Sequence, residues 1–525
     1  MPRSASLAVP HRPLRLVGGA AIALAVALLI GTLFWSIMAA ATGLPATGPG
    51  ADIGYLVYIT TLQAALSTVF SLIVGIALAW ALNRLRFPGR SLVIGLFASA
   101  IVTPGIVVAF GLLAVWGRSG WLGGLGVPVF GLGGVVAAHV ILDAAFAARI
   151  LLARFDAIPR TRLKTGQSLA LSPLTRFATI DWPAIAGTLP GLAAIIFLLA
   201  FTSFPIVLLL GGGPAVQTLE VAIYAAARLD FDLVLAVKLA LIQIAICSAI
   251  ILASSALSPI STSLDRPAEP RWRDAGLARA AQWFVLALAL FGFAAPLLAV
   301  LADGIAGLGD VVSDTAFWSA TATSVVVGAA SAVLALALGL VIAAARAATI
   351  SRTARTAIGA PAYAYLAVPA VALALGAFLF VRNLGVAPEA AAPLIVVLAN
   401  ALLSLPFVMA TLAPPFDAIA RSRGRLIRSL GLGGLRQFTA IEWPLLARDV
   451  GLVLALGFCF SLGDLGVIAL FDTQSFVTLP LLMVRALGAY RTHDAATIAA
   501  LMLALTIVAF IALPALFERL SRARP

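Results

Sequence analysis

The sequence predicts an all-α membrane protein of about twelve transmembrane helices, arranged as two parallel six-helix repeats. Three observations predict it. Hydrophobic residues make up 62% of the 525, charged residues only 10%, and the mean hydropathy is +1.11, outside the range of soluble globular chains. Apolar stretches of roughly 20 residues recur along the length, which is what a helix needs to cross a hydrocarbon core of about 30 Å. One stretch also occurs twice, as FDAIPRTRLKTGQSLALSPLTRFATIDWP from Phe155 to Pro183 and as FDAIARSRGRLIRSLGLGGLRQFTAIEWP from Phe416 to Pro444. The copies align without a gap, every position lying 261 residues from its counterpart. Agreement across basic, polar and aromatic positions marks an internal duplication rather than shared composition. A transmembrane β-barrel would need short alternating segments, which are absent.

The elements follow in order. The first apolar run, Leu16–Ala40, comes after a basic tail with Arg3, Arg12 and Arg15 and ends near Ala39–Ala41. It is longer than the 7–15 residues of a signal-peptide core, so a retained span is expected. Further spans are expected at Tyr55–Leu82, Ser91–Val115, Val127–Leu152, Ile185–Leu210 and Leu233–Leu257. In the second half they are expected at Gln282–Ala306, Ala320–Ala345, Ala357–Phe380, Ala391–Thr411, Val450–Leu470 and Ala495–Leu516. Residues 258–280 combine Pro, Ser and charge, the composition of an exposed linker, and separate a first unit (1–257) from a second (281–525). Six spans per unit return the chain to the side where it began, so the units should be parallel, related by an axis along the membrane normal.

The net charge of +13 comes from arginines in short loops, not from one patch that could hold nucleic acid. Placing the amino terminus inside puts Arg84, Arg86, Arg90, both copies of the repeated loop, Arg352, Arg355, Arg519, Arg522 and Arg524 on the cytoplasmic side. The other side keeps few, among them Arg118, Arg382 and Arg491. By the positive-inside rule both termini and both loops are expected in the cytoplasm. Cys247 and Cys459 lie within apolar runs, and His11, His139 and His493 are scattered, so neither a disulfide framework nor a metal site is expected. No Walker A pattern occurs, and Gly211-Gly212-Gly213-Pro214 neither follows a strand nor precedes GK[ST]. The chain itself is not expected to hydrolyse ATP, and no catalytic residue is assigned.

A loop of about 30 residues exceeds what a connection needs. Leucines can line one side of a short helix in each copy (Leu163, Leu169 and Leu171; Leu426, Leu430 and Leu432), with Arg and Lys on the other. Such a helix could lie on lipid headgroups or dock a partner. At these residues the chain resembles the importer-type ABC permeases, whose signature is a Glu-Ala-Ala triplet followed at fixed intervals by Gly and by Ile-x-Leu-Pro. Ile180 and Pro183, and Ile441 and Pro444, fit its end; its glycine falls on Gly431 and on Ala170; its triplet falls on Lys164-Thr165-Gly166 and Arg425-Leu426-Ile427, basic where the family is acidic. The resemblance implies that these residues, with Leu169 and Leu430, seat in two copies of a separate ABC ATPase subunit that binds the ATP. Lys164 or Arg425 would then meet a partner carboxylate.

The stretches Phe201–Leu233 and Phe460–Ala496 resemble the thiamine and thiamine-diphosphate importer permeases, grouped with ferric-iron permeases whose two transmembrane units are likewise fused. This implies a bacterial inner-membrane permease supplied by a periplasmic binding protein. Thiamine or its phosphates is the expected cargo, and ferric iron the alternative. A charge near mid-membrane costs about 2.5–3.5 kcal/mol on insertion scales, so Asp464, with Ser203, is a candidate for the translocation path. Glu220, Tyr224 and Tyr490 are candidates for docking the binding protein on the outer side. Asp143 and Arg149, six positions apart, are too distant for a direct helical contact and are expected to pair with other helices. An ion-coupled secondary transporter can also have two parallel six-span halves, but it should carry midplane acids or broken spans and has no need of matched basic loops.

Overall fold

The computed structural model describes residues 13–43, 52–255, 272–473 and 476–522, which form helices and no β-strand. Among them nine helices are long and apolar enough to cross a membrane, and three bent pairs of shorter helices bring the number to as many as twelve. The chain is a multi-pass membrane protein. Most of the expected linker, with Arg3, Arg12 and Arg524, lies outside the described residues.

Second helices in the two halves start on the same device. Asp52 accepts from the Tyr55 amide at 3.0 Å to open Ile53–Arg84, and Asp314 accepts from Ala316 at 2.8 Å to open Thr315–Ala347. Each carboxylate satisfies an amide that has no partner within its helix.

The third segments are not the straight spans expected at Ser91–Val115 and Ala357–Phe380. Arg90–Ile101 and Gly105–Trp116 meet at 114°, and Arg352–Ala367 and Ala370–Asn383 meet at 101°. Both breaks fall on a proline, Pro104 and Pro369, which has no amide to donate and drives the residue before it towards extended backbone. Val368 accordingly sits at φ −102°, ψ 108°.

A third bend, of 60°, separates Pro173–Ala186 from Leu189–Phe201, whereas its counterpart Gly434–Leu462 runs on. The first carries Gly187-Thr188-Leu189-Pro190 where the second has Arg448-Asp449-Val450-Gly451, so only the first has a proline there. Both helices stop at equivalent positions, Phe201 and Leu462, short of the expected ends at Leu210 and Leu470. Ser203 and Asp464, also equivalent, lie just beyond in matching turns, their amides donating to Ala200 and Ser461 at 3.3 Å.

The first helix of each half packs on the other half. Pro13–Gly43 lies along Thr315–Ala347 and Ala370–Asn383, while Gly276–Ala306 lies along Ile53–Arg84 and Gly105–Trp116. Small residues allow the approach: a Cβ on Gly111 would fall 2.6 Å from the Pro296 carbonyl oxygen. Helices in lipid gain little from burying apolar surface against one another, so close backbone packing of this kind is a main source of their association.

Candidate functional site

The duplicated loops share a backbone design. In the first copy Pro159 breaks the chain, and a separate helix, Arg160–Ser168, follows Leu132–Asp156. In the second copy the equivalent residue is Ala420, and one helix of 42 residues, Pro388–Ser429, carries straight through the loop. Both helices then end in the same cap. The Leu171 amide donates to Gly166 at 3.2 Å and the Ala170 amide to Gln167 at 3.0 Å; Leu432 donates to Ile427 and Gly431 to Arg428, both at 3.1 Å. This six-to-one pairing needs a left-handed residue, and Ala170 (φ 47°) and Gly431 (φ 60°) supply it.

Beyond the cap each copy makes one π-helical turn, Phe177–Asp181 and Phe438–Glu442, at equivalent positions. The turn buries an acid. Asp181 accepts from Arg84 at 2.5 Å and faces Arg176 at 3.5 Å; Arg176 also forms a fork with Asp274 at 2.5 and 2.8 Å and stacks 4.7 Å over the Trp272 ring. Glu442 accepts a fork from Arg15 at 2.7 and 3.0 Å and a further bond from Gln437. Asp274 and Trp272 precede the second unit's first helix, and Arg15 lies in the first unit's first helix. The second loop is therefore held by the opposite half, and the first by Arg84 of its own half together with the segment that joins the units.

Of the expected coupling residues, Lys164, Arg425, Leu169, Leu430, Pro183 and Pro444 are exposed. Gly166 and Ile180 are buried and Ile441 is half-buried, so they support the loop from beneath. The expected leucine stripe divides: Leu163 is buried, while Leu169 is 66% and Leu430 is 59% exposed. Two leucines that the sequence reading missed join them at equivalent positions, Leu174 at 85% and Leu435 at 79%. Their signal was the alignment itself, since leucine recurs there among residues that otherwise differ. Each loop thus presents a pair of apolar knobs on a basic face, a surface that a partner could cover.

A second constellation lies where the halves meet. Gly463 abuts Pro104, with room for a Cβ only 3.0 Å from the proline side chain, and Gly466 similarly abuts Ala370, so both proline breaks touch the turn that carries Asp464. Asp464 accepts from the Val467 amide at 3.1 Å. Glu220, expected on an outer docking face, is instead fully buried, its Oε2 accepting from the Val371 amide at 3.3 Å. That position is corrected: the side chain has no access to a docking protein. Val371 joins Glu220, from one half, to the Asp464 turn of the other, since a Cβ on Gly466 would fall 3.5 Å from the Val371 side chain. Asn400 donates to Ser461 at 2.9 Å beside them. The buried Glu220 and the half-buried Asp464 are acids of the sort the rival transporter reading calls for, but they sit at the junction of the two halves. Ser203 is half-buried in the equivalent turn, Tyr224 is half-buried against Phe204 at 5.3 Å, and Tyr490 is exposed at φ 59°. Asp143 and Arg149 are both buried.

A scan against protein-family profiles finds no match. Whole-chain relatives are found among curated proteins. The thiamine transport system permease protein of Brucella melitensis biotype 1 is 35% identical over 457 residues, covering 84% of either chain. Those of Salmonella typhimurium and Escherichia coli are 34% identical over 463 and 467 residues, covering 85% of this chain and 86% of theirs. A molybdenum transport system permease protein of Azotobacter vinelandii is 31% identical over 166 residues, 30% of this chain and 74% of its own.

Proposed function

Because the chain belongs to the family of thiamine transport system permease proteins, we propose that it is the membrane permease of an ABC importer that carries thiamine or its phosphates. Two copies of a separate ATPase subunit bind its two loops on the cytoplasmic side and bind all the ATP; the permease needs no cofactor of its own. A periplasmic binding protein delivers the cargo to the outer face, where Tyr490 is exposed. Both chain termini then lie in the cytoplasm.

The observation that carries this reading is the matched pair of loops. Two equivalent caps hold two equivalent pairs of leucines, Leu169 with Leu174 and Leu430 with Leu435, out of a basic face. One partner in two copies fits such a surface better than a lipid headgroup layer does, because lipid has no use for identical backbone geometry. Motion of the partners then reaches the membrane through the ion pairs that tie the loops to Arg84 and Arg15 in the spanning helices. A ligand or partner shifts such an equilibrium only by its differential affinity for the two states, here supplied by the ATP-driven closure of the ATPases.

Paired acids at the junction support a cargo with fixed positive charge. Thiamine carries one on its thiazolium ring. Glu220 and the Asp464 turn meet where the halves join and an alternating path would pass, and a cation there offsets the cost of withdrawing carboxylates from water.

Replacing Leu169 and Leu430 together with Asp tests the coupling. The double variant should insert in the membrane at normal abundance, lose co-purification of the ATPase, and lose at least tenfold of ATP-driven thiamine uptake in vesicles. Retained ATPase binding and uptake overturn the assignment of the loops. Uptake of ferric iron in place of thiamine, or uptake abolished by a proton ionophore, overturns the cargo or the energy source respectively.

A further inference from the structure

The two loop sites differ in one corner. Beneath the first loop, Trp272 and Asp274 fill the space: the Trp272 ring meets Gly166, where a Cβ would fall 2.9 Å from the ring, and Asp274 neutralises Arg176. Beneath the second loop the residues equivalent to Gly166 and Arg176 are Ile427 and Gln437, and both line an open cavity of about 460 Å³. Its wall carries Arg15, Arg355, Arg421, Arg425 and Arg428 against only Asp417 and Glu442.

Both of those carboxylates face a cation, although Asp417 Oδ1 is buried without a hydrogen-bond partner among the described residues. Glu442 is bound by Arg15, and Asp417 lies 3.6 Å from Arg346. Arg355, Arg421 and Arg425 stand beyond those two pairs, so the wall keeps an excess of positive charge. Arg355 donates from Nη2 to the Thr349 carbonyl at 3.2 Å, but its Nε is buried and has no hydrogen-bond partner among the described residues. The positive-inside rule accounts for arginines spread over a cytoplasmic face. It does not account for a concave wall of them with a buried, unsatisfied guanidinium nitrogen, which is a costly arrangement unless something accepts from it.

An anion complements a positive wall. Guanidinium groups bind phosphate oxygens in a bidentate fashion, and the cavity has the volume of a small-ligand site.

We propose that this cavity binds a phosphate-bearing anion, supplied either by a soluble molecule or by an anionic lipid headgroup. The site is built in the second unit only. It does not depend on which cargo is carried, since its residues lie apart from Glu220 and Asp464.

The experiment uses the full chain in nanodiscs of phosphatidylcholine, titrated with inorganic pyrophosphate by calorimetry at constant ionic strength. Saturable binding of one pyrophosphate per chain is expected, weakened at least tenfold by Arg421→Gln, an exposed residue whose loss should not affect folding, and by Arg355→Gln. Arg352→Gln, exposed nearby but outside the cavity, should leave it unchanged. In a second arm, nanodiscs with phosphatidylglycerol are analysed by native mass spectrometry. One retained phosphatidylglycerol per chain, lost in Arg421→Gln and blocking pyrophosphate, assigns the site to a lipid headgroup; pyrophosphate binding indifferent to phosphatidylglycerol assigns it to a soluble anion. The proposal is overturned if neither probe binds saturably, or if Arg352→Gln weakens binding as much as Arg421→Gln does.

Discussion

Ala170 occupies a left-handed position at φ 47° that its counterpart fills with Gly431. A side chain there costs about 1 kcal/mol, from the clash of Cβ with the backbone that glycine avoids. Ala170→Gly is therefore expected to raise stability by about 0.5–1 kcal/mol, less whatever the unfolded chain gains in freedom, and Gly431→Ala to lower it by about 1 kcal/mol. Thermal unfolding of the solubilised protein reads both, and shifts of equal sign in the two variants would refute the shared cap. Asp274 offers a second test. Burial by itself would raise its carboxyl, but the hydrogen bonds and charge of Arg176, with Gln282, outweigh that and hold it below the ordinary carboxylate range. A depressed acid contributes stability that is present above its unfolded value and lost as pH falls through its folded one. Between pH 7 and pH 3 the unfolding temperature should thus fall more steeply in the native protein than in Asp274→Asn, whose group does not titrate. Equal slopes would mean that the acid is not tied to Arg176 in solution.

Two copies of one duplicated element take different forms where one carries a proline and the other does not. Pro159 separates the first loop helix from the span before it, while Ala420 lets the second run unbroken. Proline cannot donate the hydrogen bond that would continue the helix, and its ring crowds the preceding turn. Pro159→Ala should fuse Leu132–Asp156 with Arg160–Ser168. The expected sign is slower hydrogen–deuterium exchange of the amides from Ala157 to Thr161, and unchanged exchange there would show that tertiary contacts, not the proline, set the break. By the same physics Pro104 and Pro369 turn two expected straight spans into sharply bent pairs, and the breaks meet the Asp464 turn from both halves.

Across the whole molecule, the halves are laced together by their first helices, and the lacing ends on ions. Arg15, in the first helix of one half, holds the buried Glu442 of the other half's loop. Removing one partner of a buried pair leaves an unpaired charge, which typically costs about 3–5 kcal/mol, whereas removing both costs far less. Arg15 is partly exposed, so Arg15→Ala should lie near the lower end, about 3 kcal/mol, and Arg15→Ala combined with Glu442→Gln should recover most of it. A double-mutant cycle on unfolding free energy measures the coupling; additive losses would show that the helix is held by packing alone.

Composition and the period of apolar runs already determined that this chain is a helical, multi-pass membrane protein, because crossing lipid leaves the backbone few other ways to satisfy its amides and carbonyls. The repeated stretch likewise marked the loops, since matching polar residues at a constant spacing are legible without coordinates. Only the tertiary structure decided which of those residues face out and which lie beneath: Leu169 and Leu430 are exposed, while Gly166 and Ile180 are covered. It alone joined Arg15 to Glu442 across 427 positions and brought Glu220 from an expected surface to Val371, beside the turn that carries Asp464. Burial and long-range ion pairing depend on how helices from different halves pack, and a linear pattern carries the apolar face of each helix but not which neighbour it meets.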